Sequence, residues 1–588
     1  MNLCLFLVSY FIVAYLFSAF STLSARVTAS VADVSPVSDR SPPPKSSHPA
    51  SVRLEALRSS KSVRPPTSVE HPVATVYNRE AIVPPQCYTK TTAYYNPCYT
   101  CHQDALPRRE NVMNDADLQE AYSFSELGMT NHWKNLFADR TDRVAAMTDD
   151  AILDYIRGDN YSELPARLKE ADFKGWLPDL GNLQLAAEAF DDEGFARDGS
   201  HWVAFNYKPF PSTFWPTNGS TDDVMIRLPQ KFRTGKDGQF RRDVYRANLA
   251  ILEATIKGVS EIGCLPLDEN EVNQDLNGDN ALTVIDRITT VEAYVGAAAD
   301  VFVDAHLYPP GVEFVHTVRY LGIAPSGEIV PSRRMKEVRY MKKWRAFAKP
   351  VYARQYQLEA FEKEAGNLPG YQNLGDWGLD NGNGWSLQGF IEDSDGRLRV
   401  NTFEETLACM GCHNSIGSTI DKTFSLARKV DGARGWGYLN LKGMPDAPTQ
   451  GETRGEIATY LERVGGGSEF RHNDEMSARW FRADGSLDHK KVAAAKDVYE
   501  LISPSRERAL TLNKAYRTIV EDQSFIFGRD ATVTAPTNVY ERIANESAET
   551  LPADRLFKWN ILLDWNGANS STSTPAEPAV ARIGQTVD

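Results

Sequence analysis

The sequence predicts a mainly α-helical protein with an α+β central part. Two observations support this prediction. Helical patterns flank two short clusters of cysteine and histidine, at 98–102 and 409–413, and the segment between them mixes strand-like alternation with one long amphipathic helix. The chain has 588 residues, of which 42 % are hydrophobic and 24 % are charged, so it can bury a core in about two to four domains.

The first 25 residues form an apolar leader without a charged side chain before Arg26. Small residues such as Ala25 offer cleavage sites, so the leader is interpreted as a signal peptide, with an uncleaved membrane anchor as the alternative. Cys4 lies inside the apolar run and is not placed like a lipid-attachment cysteine. We expect the rest of the chain to be exported, to the periplasm or the extracellular space, and to be held at a membrane only if the leader is an uncleaved anchor.

Composition divides the exported part of the chain. Residues 26–70 and 566–588 are rich in Ser, Thr and Pro and lack hydrophobic periodicity, so we expect a disordered spacer and a flexible tail. Between them we predict a first helical domain at 71–180, a central α+β unit at 181–370 and a second helical domain at 371–565.

Two helices are predicted after the first cluster. The stretch "NDADLQEAYSFSELG" offers Asn114 or Asp115 as an N-cap and Gly128 as the helix end. The stretch "TDDAILDYIRG" has Thr148 as an N-cap, acidic residues in the first turn and Gly158 at its end.

Strands and one helix are predicted in the centre. The stretches "DDVMIRLP" and "FVHTVRYLG" alternate like strands, and "RRDVYRANLAILEATIKG" predicts a helix that ends at Gly258. Further along, "GFIEDSDGRLRVNTF" predicts a hairpin that turns at 394–396. It leads into "EETLACMGCH", the start of a helix that carries the second cluster.

Both clusters, "CYTCH" and "CMGCH", have the pattern C-x-x-C-H, which is the attachment sequence of haem c. The two thiols add to the two vinyl groups of the porphyrin, and the histidine that follows ligates the iron. A zinc site built from all four thiolates is the alternative, but it leaves both histidines unexplained. The pattern therefore predicts two covalent haems, attached at Cys98, Cys101, Cys409 and Cys412, with His102 and His413 as proximal iron ligands.

With these motifs the chain resembles the c-type cytochromes, specifically the large exported dihaem ones. The resemblance covers the motifs and their flanks, roughly a third of the chain. It implies two cytochrome c-like helical haem segments on either side of the mixed central unit, and electron transfer with redox partner proteins. The alternative is a dihaem peroxidase- or oxygenase-type oxidoreductase with one open iron site. A structural or surface-attached protein is a third class.

The sixth ligand decides what each iron can do, because methionine raises the potential, histidine lowers it and an open position admits peroxide or oxygen. The alternative for each candidate is an ordinary core or surface side chain, which is the commoner role of such a residue. The candidates are Met129 and His132 for the first haem, Met444, His472 and Met476 for the second, and His316 from the central strand.

The central stretch "DLNGDNALTVID", 275–286, has the spacing of an EF-hand calcium loop, and its terminal Asp makes it more similar to the dockerin variant. Asn280 replaces the usual glycine and tolerates the left-handed conformation. An acidic turn without metal is the alternative. We predict one structural Ca²⁺, with the ligands Asp275, Asn277, Asp279, Ala281 (through its carbonyl), Thr283 and Asp286.

The charge distribution limits the partners. A net charge of −14 argues against a general nucleic-acid binder. The basic stretch 333–350 is either a solvated face or a site that pairs with haem propionates or an acidic redox partner. Cys87 and Cys264 are the exported cysteines outside the clusters, and they form either a disulfide or two thiols.

Overall fold

The computed structural model describes residues 82–104, 115–289, 291–413, 419–423, 425–544 and 547–566. The predicted leader at 1–25 and spacer at 26–70, and all but the first residue of the predicted tail, lie outside the described residues. The described residues all fall within the unit Val52–Asp588. The domain boundaries predicted after residues 180 and 370 stay predictions.

An antiparallel sheet of eight strands organises the fold, in the order β1-β2-β5-β6-β9-β8-β7, with β10 paired to β9. A separate two-stranded sheet consists of β3 and β4. The strands are β1 Val203–Ala204, β2 Thr221–Arg227, β3 Glu261–Asp268, β4 Val284–Thr289, β5 Glu313–Ile323, β6 Ile329–Lys343, β7 Gln372–Asn373, β8 Leu379–Asp380, β9 Trp385–Glu392 and β10 Leu398–Val400.

Strand β5 shows why this sequence forms a sheet. Its residues alternate between the two faces, because successive side chains of a strand point to opposite sides. Val315 packs into the hydrophobic cluster on one face, whereas Phe314, His316 and Val318 face a cavity on the other. The strands predicted from "DDVMIRLP" and "FVHTVRYLG" are confirmed as β2 and β5.

The described part of the chain also contains α-helices, some of which pack against the sheet. They are α1 Thr141–Ala146, α2 Asp149–Arg157, α3 Leu164–Glu170, α4 Ala186–Ala189, α5 Arg242–Lys257, α6 Glu269–Val272, α7 Lys349–Glu364, α8 Phe403–His413, α9 Glu456–Val464, α10 Asp474–Trp480, α11 His489–Ala493, α12 Val498–Ile502 and α13 Arg506–Asp522.

Two predicted helices are confirmed with their caps. The hydroxyl of Thr148 accepts a hydrogen bond from the backbone N–H of Ala151 at the start of α2, and Gly158 follows its last turn. Helix α5 ends at Gly258, whose φ of 63° is in the left-handed region that glycine adopts without strain.

The hairpin that precedes the second cluster is also confirmed. Leu398 on β10 pairs with Glu392 on β9 across the turn at 394–396. The chain then enters α8, which carries the second C-x-x-C-H motif. The sequence therefore placed this motif on the correct local element.

The prediction of a mainly α-helical fold with helical haem segments is wrong, because the dominant element is the eight-stranded sheet and the fold is mixed α+β. The helix predicted to end at Gly128 does not form. After the 3₁₀ turn Ala116–Glu120 the backbone becomes extended at Ala121, with φ −116° and ψ 145°. The hydroxyl of Tyr122 donates to the Thr89 carbonyl, a tertiary contact that outweighs the local helical preference.

Candidate functional site

A cavity of about 250 Å³ lies against one face of the sheet. A row of cross-strand partners crosses its floor: Val224 on β2, His316 on β5, Arg339 on β6 and Gly389 on β9. All four residues line the cavity. The apolar part of the floor comes from the same face of the sheet, namely Phe314, Val318, Met341 and Leu387.

The second motif forms part of the cavity wall. Cys409 and His413, both on α8, line the cavity. Burial, with the charges of Arg339 and His316, lowers the pKa of His413 to about 3. The imidazole is therefore uncharged at physiological pH, which is the form that binds a metal.

His316 lines the same cavity as His413. Its Nε2 lies 3.2 Å from the Oδ2 of Asp222 on the neighbouring strand β2. A histidine that lines a cavity and has a carboxylate partner has two chemical uses: it can ligate a metal, or it can hold and move a proton. Asp222 was not found from the sequence, because nothing in the sequence pairs it with a residue 94 positions away.

A second, smaller cavity of about 80 Å³ lies at the first motif. Cys98, Cys101, His102 and Lys363 line it. The His102 Nδ1 lies 3.4 Å from the Oδ2 of Asp115, and the same oxygen lies 3.1 Å from the Lys363 Nζ. Residues 105–114, which follow this motif, are outside the described part of the chain.

The two motifs are neighbours in space. Gly411, inside the second motif, lines the smaller cavity together with the cysteines of the first. The segment 82–87 separates the cavities, since Pro85 and Gln86 line the large one whereas Ile82 and Cys87 line the small one. The spacing of the motifs in the sequence gave no signal of this proximity.

The other predicted distal ligands line neither cavity. Met444 and Met476 are buried together in a separate hydrophobic cluster. His132 packs against Phe527 with a ring-centre distance of 5.6 Å. The remaining two are His472, whose Nε2 lies 3.1 Å from the Thr534 Oγ1, and Met129, whose carbonyl accepts a hydrogen bond from the Ile543 N–H.

The residues of the large cavity fit a covalently attached haem by type. A cysteine and a histidine of one motif meet at its wall, a second histidine lines it, and the rest of the lining contains aromatic and aliphatic side chains. The small cavity has the corresponding cysteines and histidine. Both cavities are smaller than the roughly 300 Å³ at which ligand pockets usually begin, the large one slightly and the small one by a wide margin.

The basic stretch 333–350 does not form one solvated face. Lys343 is fully buried and its Nζ lies 2.6 Å from the Oδ2 of Asp421. Lys336 and Arg339 line the large cavity, whereas Arg345 is exposed. The basic stretch is therefore divided between the core, the cavity and the surface.

The predicted calcium loop is a tight turn held by its own carboxylates. Asp275 accepts hydrogen bonds from the backbone N–H groups of Gly278 and Asn280, at 2.7 Å and 2.8 Å. Asn280 has a φ of 65°, the left-handed conformation expected at that position. The Asp279 carboxylate accepts from the Ala281 N–H and from the Asn277 amide.

The far end of this loop departs from the prediction. Asp286 is exposed on β4. The Thr283 N–H donates instead to the Oε2 of Glu269, a buried carboxylate that the sequence pattern did not indicate. Across the described ranges no group of three or more His, Cys, Asp or Glu side chains is arranged to hold a metal ion. The calcium site stays a prediction.

The alternative of a disulfide between Cys87 and Cys264 is wrong. Cys264 is a buried thiol on β3 that forms no disulfide, and burial raises its pKa to about 12. Cys87 lies elsewhere, at the small cavity.

None of the helices in the described part of the chain combines the length and the apolar composition that a membrane crossing requires.

Comparisons with known proteins give the family. Residues 71–498 match the model of a lipoprotein family. An uncharacterized lipoprotein of Aquifex aeolicus (strain VF5) is 34 % identical over 515 residues, which cover 77 % of this chain and 86 % of the relative. No solved structure matches.

These matches correct the family resemblance that the motifs suggested. The chain resembles the c-type cytochromes only in two five-residue stretches, whereas the lipoprotein model covers most of its length. Export, which the apolar leader predicts, agrees with this membership. The chain belongs to this lipoprotein family.

Proposed function

We propose that the protein is an exported redox protein that carries two covalently bound haems and transfers electrons between redox partner proteins. The observation that carries this proposal is the large cavity, where Cys409 and His413 of one C-x-x-C-H motif share the lining with His316. A haem in each site would supply reversible one-electron chemistry.

The residues of the chain have separate roles in this proposal. Cys409 and Cys412 would tether the porphyrin, and His413, which is held uncharged at the cavity wall, would hold the iron. His316, which lines the same cavity, could also hold the iron. The apolar side chains on the sheet exclude water, which strengthens the interactions that tune the potential.

The first site is assigned by the same chemistry to Cys98, Cys101 and His102. Its position beside Gly411 of the second motif supports direct electron exchange between the two sites. Association with a membrane surface, through the N-terminal leader, is consistent with the lipoprotein family.

An enzyme with one open iron site is the second candidate. One observation favours it: the His316 Nε2 is already hydrogen-bonded to Asp222, so this nitrogen is engaged by a carboxylate instead of being presented to a metal. In an open site the His316–Asp222 pair would hold and transfer a proton at Nε2.

We also propose one structural Ca²⁺ in the loop 275–286. The backbone hydrogen bonds of Asp275 and the left-handed Asn280 support this assignment, since they pre-form the turn without the ion.

The experiment is to produce the full chain in a host that exports proteins and attaches haem c. We expect a mass increase of two haems after acid–acetone extraction, and one haem in a Cys409→Ser/Cys412→Ser double variant. A protein that binds zinc and carries no haem would refute the proposal.

Spectra with carbon monoxide and cyanide then separate the two candidates. Two low-spin haems that bind neither carbon monoxide nor cyanide in either oxidation state support the electron carrier. A high-spin haem that binds them and turns over peroxide supports the enzyme, and His316→Ala should then reduce turnover without changing the haem count.

A further inference from the structure

We propose that Arg339 and Arg529 form a carboxylate-binding site on the wall of the large cavity. The inference rests on the proposed function for the identity of the cofactor, because a haem brings two propionates to this site. It goes beyond that function by naming the residues that recognise an anion.

Two guanidinium groups share one carboxylate at this wall. The Arg339 Nε lies 2.9 Å from the Glu337 Oε2, and the Arg529 Nη1 lies 2.7 Å from the same oxygen. The side chains of Arg339 and Arg529 are 25 % and 14 % exposed. The cluster therefore has one positive charge more than Glu337 can balance, in a poorly hydrated place.

Both arginines have N–H groups that donate no hydrogen bond to a described residue. A guanidinium has five N–H groups, and Arg339 uses only its Nε on a described residue. Arg529 donates its Nη2 to the Glu405 carbonyl, and its buried Nε has no hydrogen-bond partner among the described residues. These donors border the cavity, since both arginines line it.

The other charged groups of the cavity have partners of their own. Lys336 donates to the Gly219 carbonyl and the Ser220 hydroxyl, and Asp222 pairs with His316. Arg428, which also lines the cavity, forms a bidentate pair with Glu456.

Asp530 is the remaining acid at the cavity. Burial raises its pKa to about 6, against the opposing charges of Lys336 and Arg529. It has no ion pair within 4.0 Å among the described residues, so it does not neutralise the two arginines by direct contact.

A carboxylate is the ligand that these features select. Guanidinium groups bind carboxylates through two parallel hydrogen bonds, and a negative charge would balance the excess positive charge. The carboxylate can come from a propionate of the porphyrin or from a small soluble carboxylate, and the experiment distinguishes these sources.

The test compares Arg339→Gln and Arg529→Gln with Arg333→Gln, which removes the same charge from an exposed position of β6. Arg339→Lys keeps the positive charge but removes the planar guanidinium group that can form two parallel hydrogen bonds with a carboxylate. For each variant we would measure the haem count by mass, the reduction potential of the second haem, and the absorption spectrum during titration with acetate.

If a propionate is bound, acetate leaves the spectrum unchanged and Arg339→Gln lowers the potential. A tenfold change in the reduction equilibrium corresponds to about 59 mV for one electron. If a soluble carboxylate is bound, acetate perturbs the wild-type spectrum with saturation, and Arg339→Gln weakens this binding at least tenfold. The proposal is overturned if Arg339→Gln and Arg529→Gln match Arg333→Gln in both the reduction potential and the acetate titration.

A chain without haem would refute the proposed function, and this inference would then be tested on its own. Binding of protoporphyrin IX, a dicarboxylate, would be followed by fluorescence in the wild type and in Arg339→Gln. Tighter binding by the wild type supports the carboxylate site, and equal affinities overturn it.

Discussion

Gly411 of the second motif packs against Pro84 in the segment that separates the two cavities. A Cβ atom on Gly411 would lie 3.0 Å from the Pro84 Cγ and 2.7 Å from the Ile82 carbonyl oxygen. The second motif therefore has no room for a side chain at this position. Two motifs that begin 311 residues apart (409 − 98) therefore both lie next to one short segment.

We expect Gly411→Ala to destabilise the protein. Alanine normally favours a helix over glycine, but here the backbone oxygen of Ile82 cannot move aside without shifting the segment. The cost should be about 1–3 kcal/mol, as for other overpacked positions. Urea denaturation gives the free energy of unfolding.

Gly263→Ala is the matched control for this prediction. Its Cβ would meet no heavy atom closer than 3.7 Å, so we expect unchanged stability or a gain of up to about 1 kcal/mol. Equal effects of the two substitutions would contradict the close packing at Gly411.

Substitutions of two neighbouring lysines on β6 should change the free energy of unfolding by very different amounts. Lys343→Ala removes the partner of Asp421 in a pair whose side chains are both 0 % exposed, and should cost about 3–5 kcal/mol, because it leaves an uncompensated buried charge. Lys342 is 41 % exposed and lies 3.9 Å from Glu313, so Lys342→Ala should cost at most about 1 kcal/mol. Similar unfolding free energies for the two variants would rule out the buried pair.

Glu337 should contribute to the acid sensitivity of the protein. Burial raises the pKa of this carboxyl, but the charges of Arg339 and Arg529 outweigh burial and hold its pKa at about 2, below its ordinary value of 4.5. The group therefore stabilises the fold fully above pH 4.5 and loses this contribution as the pH falls towards 2.

The substitution Glu337→Gln tests this pH dependence. The variant should be less stable than the wild type at pH 7, and the difference should shrink on acidification through this window. Unfolding free energies measured from pH 7 to pH 2 check the prediction, and a difference that stays constant over the whole range would contradict it.

Removal of calcium should lower the melting temperature if the loop 275–286 binds the ion, because a ligand bound only by the folded state stabilises that state. Asp275→Ala should abolish the difference between melting with calcium and melting with chelator. Asp300→Ala, an exposed acidic position outside the loop, should keep it. If the wild type melts identically in both buffers and elemental analysis finds no calcium, the loop is an acidic turn.

Cys264 should react only after unfolding. Its thiol is 1 % exposed and burial raises its pKa to about 12, so little reactive thiolate is present in the folded protein. Mass spectrometry of peptides alkylated without reductant should find Cys264 unmodified in the native protein and modified in denaturant. A Cys264 that stays unmodified in denaturant until a reductant is added would indicate a disulfide.

The sequence by itself determined the elements that depend on neighbours along the chain. The cap of Thr148 and the end at Gly158 define α2, and the turn at 394–396 defines the hairpin before α8. The alternation of β5 also placed Phe314, His316 and Val318 on one face. These features follow from contacts within a few residues, and caps, turns and periodicity record such contacts directly.

Only the tertiary structure decided the sheet and the cavity. Arg339 is the cross-strand neighbour of His316, and Asp222 forms a hydrogen bond with His316. Both contacts exist because strands β2, β5 and β6 pair in one antiparallel register. Each of these contacts joins residues far apart in the sequence, where no local period specifies the partner. Each C-x-x-C-H motif comprises five residues and does not specify a fold. The mainly helical prediction drawn from the motifs was therefore wrong, because the main sheet depends on pairing between strands that are far apart in the sequence.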